Sequence, residues 1–528
     1  MKLNSLFQTN MLSKALLLLF LLSTNFFAVS QNDKEKKTLD SLAGCYKKSL
    51  ADWEVPGMSV AIVKDGKVIF SEGFGVRNIN EKNRVDSKTM FPVASNTKAF
   101  TAASLAILVD QGKLDWQDKV IEYIPWFQLY DPYVTANMTI RDLLCHRSGL
   151  ATFSGDLLWY GSTYSRSEVI RRARFLKPVY GFREHYGYSS IMFLTAGEII
   201  PAVSGKSWDD FIKEYFFQPL GMTRTITSTN DLKKFSNVAT AHTDITAPNG
   251  TKTVIPIEFL NWDNIAPAGS IISCADDMAQ WLILQLNKGI YNSDTLFTPA
   301  RSREMWSANT VQDISRFSET YMPSTSFRAY GLGWGINDYK GHKIVGHSGG
   351  YDGMISYTCM VPDMNLGFVI LTNKNSSLYY PMMLTTLDAF LGGETRDWSQ
   401  FMLERIKQGE AGDRKQRHAW EESRIKNTLP SLRLEDYCGI YESELYGEAS
   451  VKLTNGQLMV QFMPTPTLSG TLTHWHFDTF EIEFKLLPSL PKGTCTFTLD
   501  AAGKVEKMKI DVPNPDFDFT ELDFRKKD

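Results

Sequence analysis

The chain has 528 residues, 43% hydrophobic and 22% charged, with a formal net charge of −3. That length and apolar content are enough for a large core divided among more than one domain, and the near-balanced charge gives no reason to expect nucleic acid or an anionic membrane surface as partner. Six cysteines (Cys45, Cys145, Cys274, Cys359, Cys438 and Cys495) show no short paired spacing, which points to neither a disulfide framework nor a zinc site.

Residues 1–30 have the pattern of an export signal. Lys2 and Lys14 supply positive charge, residues 15–22 are an apolar core, and Ala28-Val29-Ser30 offers small residues before a cut at Gln31. The core is shorter than the roughly 20 residues of a spanning helix; an uncleaved anchor extended through Phe26 and Phe27 is the alternative. The expectation is a secreted or periplasmic protein with no stable membrane span after cleavage. A charged leader follows over 33–37, then an amphipathic helix over 40–53. Residues 58–63 and 68–70 flank Asp65-Gly66, a hairpin signal.

Ser95-Asn96-Thr97-Lys98 places a hydroxyl and an amine one helical turn apart. The same spacing recurs at Ser423/Lys426 and Ser489/Lys492, so context decides. Only Ser95 follows an apolar step, residues 91–94, and opens a run over 99–109 too apolar for a surface helix, stopped by Gly112. Burial and the positive end of that helix both disfavour an ammonium, so Lys98 is expected to titrate low enough for its amine to take the serine proton.

Two later segments complete a pattern. Tyr188-Ser189-Ser190 heads another apolar helix, and His347-Ser348-Gly349-Gly350 follows a short strand over 343–346. In this order the segments resemble the serine β-lactamase and penicillin-binding protein superfamily, specifically its class C-like branch of esterases, D-aminopeptidases and DD-peptidases (peptidase S12 type). Residues 139–150, 219–222 and 267–270 support the resemblance, which covers roughly 45–390. It implies an α/β (α+β) β-lactamase/transpeptidase-like fold, an antiparallel sheet flanked by helices plus a helical region, with the cleft between them. It also implies Ser95 as acylated nucleophile, Lys98 as its proton acceptor, Tyr188 as proton relay and His347 in place of the third motif's lysine. Backbone N–H groups of Ser95 and Gly350 would form the oxyanion hole, with Ser190, Ser348 and Gly349 lining the substrate site. No metal or organic cofactor is implied.

Two departures weaken the case for an efficient β-lactamase. Ser190 stands where the family usually has asparagine, and its hydroxyl is shorter than a carboxamide. His347 replaces a fixed ammonium with a ring that is mostly neutral near pH 7.

Strands are expected near 343–348, 354–361 and 366–372, and with the hairpin at the other end they imply one sheet fed by both ends of the domain. A charged, helix-prone stretch over 396–429 is expected to be a connecting helix or linker. Short strands with tight turns over 430–528, such as Asn455-Gly456, predict a small all-β barrel or sandwich. Residues 434–441 resemble the start of lipocalin-like modules appended to some members of this branch. The divisions are therefore 1–30, 31–395, 396–429 and 430–528. His474-Trp475-His476 is the only close histidine pair, a conceivable metal pair without nearby carboxylate or cysteine ligands.

The leading reading is an exported serine hydrolase acting on esters or D-amino-acid-containing peptides, with a small-molecule or peptide substrate, cell-wall-derived in one version. A β-lactamase and a non-catalytic cell-wall-fragment-binding or scaffold protein are the alternatives. The loops over 151–185 and 300–330 carry specificity without a readable code, and Trp159, Tyr160, Tyr164, Phe327 and Tyr330 are open between cleft lining and core. The oligomeric state is not encoded in any motif.

Overall fold

The computed structural model describes residues 33–246, 251–393 and 396–527; the export segment expected over 1–30 lies outside them. The charged stretch 33–37 is part of the first helix, α1 (33–52), which runs on without a break. Its apolar face, with Leu42, Tyr46 and Leu50, is buried.

The hairpin forms where its turn residues demand it. Strand β1 (Gly57–Lys64) turns through Asp65 (φ 50°) and Gly66 (φ 74°) into β2 (Lys67–Gly75), the left-handed pair a two-residue loop requires. The remaining strands of the same sheet are β3 (Thr310–Gln312), β4 (Arg328–Tyr330), β5 (Gly335–Tyr339), β6 (His342–Tyr351), β7 (Met354–Val361) and β8 (Leu366–Thr372). The order is β2-β1-β8-β7-β6-β5-β4-β3, and every pairing is antiparallel. Chain start and chain middle thus meet in the β1–β8 pair, with Val60 opposite Ile370.

Because both faces of β1 and β8 are covered, these strands are continuous apolar runs. One face packs on α1 and on α5 (Tyr379–Leu391), the other on the helical region. That region holds α2 (Thr97–Asp110), α3 (Ser190–Ser204) and α4 (Ala275–Leu286). Helix α2 is buried on all sides from Thr97 to Leu108, as a helix apolar all round must be.

The charged stretch after the sheet is mostly one helix, α6 (Trp398–Glu422). Trp53 Nε1 donates to Ser399 Oγ (3.0 Å) near its start, and Trp420 stacks on Trp475 near its end, with ring centroids 4.4 Å apart. Beyond it, strands β9 (Gly439–Ser443), β10 (Gly447–Thr454), β11 (Gln457–Phe462), β12 (Ser469–His476), β13 (Thr479–Phe484), β14 (Gly493–Leu499), β15 (Val505–Asp511) and β16 (Asp523–Lys526) form a closed antiparallel barrel in sequence order. Closure leaves no sheet edge. Its interior is packed with Tyr441, Tyr446, Phe462, Phe480, Phe497 and Phe524, all buried.

Ring nitrogens of the close histidine pair take backbone partners: His474 Nε2 pairs with Phe477 O (3.1 Å), and His476 Nδ1 accepts from Ile425 N (3.3 Å). Among the described residues no group of three or more histidine, cysteine or carboxylate side chains is placed to hold a metal ion. None of the described helices is long and apolar enough to cross a membrane. All six cysteines are free, and four of them are buried.

Candidate active site

Ser95 sits in a single 3-10 turn, Ala94–Asn96, that feeds into α2. Ala94 adopts φ 46°, a left-handed conformation that costs a non-glycine residue about 1–3 kcal/mol. Strand β6 lies directly against this turn: a Cβ on Gly349 would fall 2.2 Å from Val93 O and 3.0 Å from Ser95 N. The glycine is therefore what lets the strand approach the serine backbone. Gly350, by contrast, faces open space, with only Ile355 Cδ1 within 4 Å of such an atom, at 3.8 Å.

One turn on, Lys98 is 0% exposed. Its Nζ donates to Ser95 Oγ (3.0 Å) and to Ala268 O (2.9 Å), the latter a carbonyl of the Ala266–Gly269 turn. The amine also lies 4.7 Å from the centre of the Tyr188 ring. Burial pulls the Lys98 ammonium well below the ordinary lysine range, with Asp156 opposing it in part.

Tyr188 precedes α3, whose N-cap is Ser189. Burial holds its phenol proton far above the ordinary range, and the Ser95 hydroxyl relieves part of that shift. His146, at φ 58°, packs its ring 4.2 Å from that of Tyr188, and its Nδ1 accepts from Ser189 N (3.0 Å). This is the residue through which the 139–150 segment reaches the site. Asp142 of the same segment caps its helix with Thr139 and is clamped by Arg147 (2.5 Å) and Arg183 (2.6 Å).

His347 on β6 is held by two contacts that fix its tautomer. Nδ1 lies 2.5 Å from Ser348 O, an acceptor only, so Nδ1 carries the proton. Nε2 then accepts from the Tyr330 hydroxyl at 2.7 Å. Burial, with Lys98 nearby, pushes the ring down to about 3. It is a neutral imidazole, not a substitute cation.

The departure at Ser190 has a structural counterpart. Ser190 Oγ donates to Asp156 Oδ2 at 3.4 Å, and Asp156 Oδ1 is buried without a partner, the Trp159 indole lying beside it outside hydrogen-bonding geometry. Burial pushes the Asp156 carboxyl well above its ordinary range, with Glu521 adding to the rise and Lys98 opposing it. Asp156 is the residue that motif spacing does not reveal. It opens a short 3-10 turn, Asp156–Leu158, and its one signal is a lone carboxylate ahead of the apolar run Leu157-Leu158-Trp159-Tyr160.

Ser95, Lys98, Tyr188, Ser190, His347, Ser348, Gly349 and Gly350 all line one cavity of about 520 Å³, together with Asp156. Trp159, Tyr160 and Tyr330 line it as well, whereas Tyr164 binds the barrel through Tyr446 O (2.6 Å) and Phe327 is exposed. The barrel closes one side: the segment between β15 and β16 brings Asp516 and Phe517 to the wall, with Phe517 4.3 Å from Tyr160 ring to ring. Tyr160 donates to Asp352 (2.5 Å), whose carboxyl burial raises to about 6. Arg328 is the one other basic side chain on the wall besides Lys98 and His347 among the described residues.

An antiparallel sheet with a helical region, and a buried lysine against a serine at the cleft between them, define the beta-lactamase-like class of fold and site. The beta-lactamase family profile matches residues 42–390, and a domain of unknown function (DUF3471) matches 423–526. The chain belongs to the beta-lactamase family. It is similar to unguisins hydrolase ungD' of Aspergillus campestris, at 32% identity over 66% of this chain and 64% of that protein. It is similar also to unguisins hydrolase ungD of Aspergillus violaceofuscus, at 28% over 85% of this chain and 84% of that one. Protein flp of Staphylococcus aureus strain COL is 28% identical over 63% of this chain and 62% of its own length. The chain thus spans less than two thirds of the first and third of these relatives. Among solved structures, the octameric penicillin-binding protein homologue from Pyrococcus abyssi shares the fold with TM-score 0.59 at 21% identity, over 92% of this chain and 99% of that one. SurE does so with TM-score 0.53 at 17% identity, over 93% of this chain and 100% of that one.

Proposed function

We propose that the protein is an exported serine hydrolase that forms an acyl-enzyme at Ser95, on esters or D-amino-acid-containing peptides. The observation that carries this reading is the 3.0 Å contact between Ser95 Oγ and the fully buried Lys98 Nζ. An amine held there with a depressed pKa takes the hydroxyl proton as Oγ attacks the carbonyl carbon. The oxyanion is received by the N–H groups of Ser95 and Gly350, two donors each worth several kcal/mol in a dry site. Tyr188, whose ring centre is 4.7 Å from the Lys98 amine in the same cavity, relays that proton from Lys98 to the leaving group. Water then attacks the ester by the reverse path.

The neutral His347 weighs against a substrate whose binding relies on a carboxylate at the third motif. Ser190 in place of an amide weighs against rapid lactam hydrolysis. The two relatives named as unguisins hydrolases support hydrolysis as the activity class. In this reading residues 31–395 are the hydrolase unit and 430–528 a module that shapes the cleft, joined by 396–429.

Intact mass of the protein and of Ser95→Ala is measured after exposure to a fluorophosphonate, a penicillin and a p-nitrophenyl acyl ester. One adduct or ester turnover that disappears in the variant is the expected result. A folded protein that neither labels nor turns over any of the three would be left as a binding protein.

A further inference from the structure

A second cavity, of about 730 Å³, lies between the sheet, α5 and α6, and takes no part in the acyl transfer just described. Phe317, Met322, Met383, Leu384, Leu387 and Ile406 give it an apolar lining. Five residues, Arg328, Asn337, Ser348, Tyr357 and Tyr379, line both this cavity and the one that holds Ser95, so the two meet there. The junction falls where β6 loses a neighbour. Strand β5 pairs with it only as far as Gly335 opposite Gly346, while β7 stays paired on the other side through Tyr351. Ser348 therefore stands on a stretch of β6 with no strand on its β5 side.

The chemistry of the junction suits an anion. Arg328 lies opposite Gln312 on β3 and Asn337 on β5, a cross-strand row of three polar side chains. Its side chain is exposed and, among the described residues, makes no hydrogen bond or ion pair. The hydroxyls of Tyr357 and Tyr379, whose rings stack with centroids 5.5 Å apart, also have no hydrogen-bond partner among the described residues. The guanidinium charge acts on both phenols, favouring their ionised forms against the larger effect of burial. The other charged side chains of the second cavity are occupied: Glu410 pairs with Lys252, and Arg405 donates to the Tyr321 hydroxyl (2.9 Å). With Lys98 buried and His347 neutral, Arg328 is the fixed positive charge on the path that leads from Ser95.

The opposite end of the Ser95 cavity is walled by the barrel. Glu521 accepts from Gly155 N (2.8 Å) and from Ser154 Oγ, which pins the loop ahead of Asp156, and Phe517 lies against Tyr160. On the Arg328 side stands the proton donor to the leaving group: Tyr186, two residues before Tyr188, has its ring 5.8 Å from that of Tyr330 on β4.

We propose that the second cavity is a subsite for the leaving-group arm of the substrate, an apolar chain bearing a carboxylate that Arg328, Tyr357 and Tyr379 hold at the junction. The inference rests on the acyl-enzyme reading above. Strand β4 is two strands from β6, roughly 10 Å across the sheet at about 4.8 Å per strand. The anion therefore belongs that far from the scissile bond, and not on the atom next to it where the third motif would meet it.

The test uses acetyl esters of two phenols, one bearing a carboxypentyl chain and the other the matching primary carboxamide, with phenyl acetate as the reference without an arm. Release of the phenol gives kcat/KM for the full chain and for Arg328→Gln, Arg328→Lys and Gly409→Trp. The unaltered protein is expected to favour the acid over the amide by about 10- to 100-fold, the range of a charged hydrogen-bonded contact, and added salt narrows the gap. Arg328→Gln brings acid and amide to one level, and Arg328→Lys keeps part of the difference. Gly409 lines the second cavity and a Cβ there meets nothing within 4 Å, so Gly409→Trp occupies that space and lowers both long-armed esters relative to phenyl acetate. Equal rates for acid and amide in the unaltered protein, a preference that survives Arg328→Gln, or long-armed esters that Gly409→Trp leaves unchanged relative to phenyl acetate overturn the inference and leave the acyl-enzyme reading intact. Failure of Ser95 to label with a fluorophosphonate overturns that reading and the inference with it.

Discussion

Tyr330 and His347 are joined by a 2.7 Å hydrogen bond in which the phenol donates to Nε2, so both nitrogens of the imidazole are occupied before any ligand arrives. With His347 at about 3 against an ordinary 6.5, the folded state favours the neutral ring. The sign follows from linkage: the unfolded chain binds the proton first, so this contribution to stability is complete above pH 6.5 and is lost as the pH falls from there toward 3.

His347→Gln, which cannot titrate, should therefore narrow the gap between stability at pH 7.5 and at pH 5. Each pH unit of the interval below 6.5 is worth up to about 1.4 kcal/mol. Urea midpoints of both proteins at the two pH values measure the double difference, and equal gaps would contradict a depressed His347.

Lys98→Met replaces a buried amine by an apolar chain of similar length. The lysine's folded pKa is depressed, so at pH 7 the unfolded chain binds its proton more readily and folding bears the cost of giving it up. The variant is expected to gain about 1–3 kcal/mol by urea unfolding while losing all labelling at Ser95. A variant less stable than its parent would mean that the bond to Ala268 O outweighs the desolvation.

Neighbouring glycines on β6 should respond differently to one methyl group. Gly349→Ala drives its Cβ into Val93 O and Ser356 Oγ, so the strand must move away from Ser95. A loss of about 1–3 kcal/mol and at least 100-fold slower acylation are expected. Gly350→Ala meets only Ile355 at ordinary contact distance and should change stability by less than about 0.5 kcal/mol. Thermal melts and labelling rates of the pair check the contrast.

Phe517→Ala opens the wall contributed by the barrel without touching Lys98 or Ser95. Labelling by a small fluorophosphonate should keep its rate within about twofold, while KM for a bulky aromatic ester rises several-fold, because the lost contact is with the body of the ligand. Equal effects on both reagents would instead mean that the ring supports the catalytic geometry.

The parts of the site that were legible in the chain are those built by local constraint. Ser95 and Lys98 are set three apart where a 3-10 turn runs into α2, Tyr188 stands at a helix entrance, and His347 lies on a strand whose glycines announce a close approach. The hairpin at Asp65-Gly66 and the antiparallel strands after residue 342 were legible for the same reason, since turn chemistry and alternation are written in adjacent residues. Asp156 was not, because nothing near it in sequence distinguishes it. Its place depends on a loop pinned between α3 and the barrel, and its altered proton affinity comes from burial that only the tertiary structure creates. Phe517, Asp516 and Glu521 were hidden for the same reason. The 396–429 stretch was ambiguous because a charged helix and a solvated linker share a composition; stacking of Trp420 on Trp475 is the long-range contact that separates them.

Ser154 and Glu521 touch across 367 positions of sequence. During synthesis, then, the lysine and serine, on α2 and the turn that feeds it, are made long before the carboxylate that fixes their neighbouring loop. The chain passes through its biogenesis with an unfinished cleft, and the pocket acquires its final wall only when the last barrel strands close. On the acyl-enzyme reading, proteolytic nicking after residue 430 should consequently slow labelling at Ser95 although the Ser95–Lys98 pair itself is untouched.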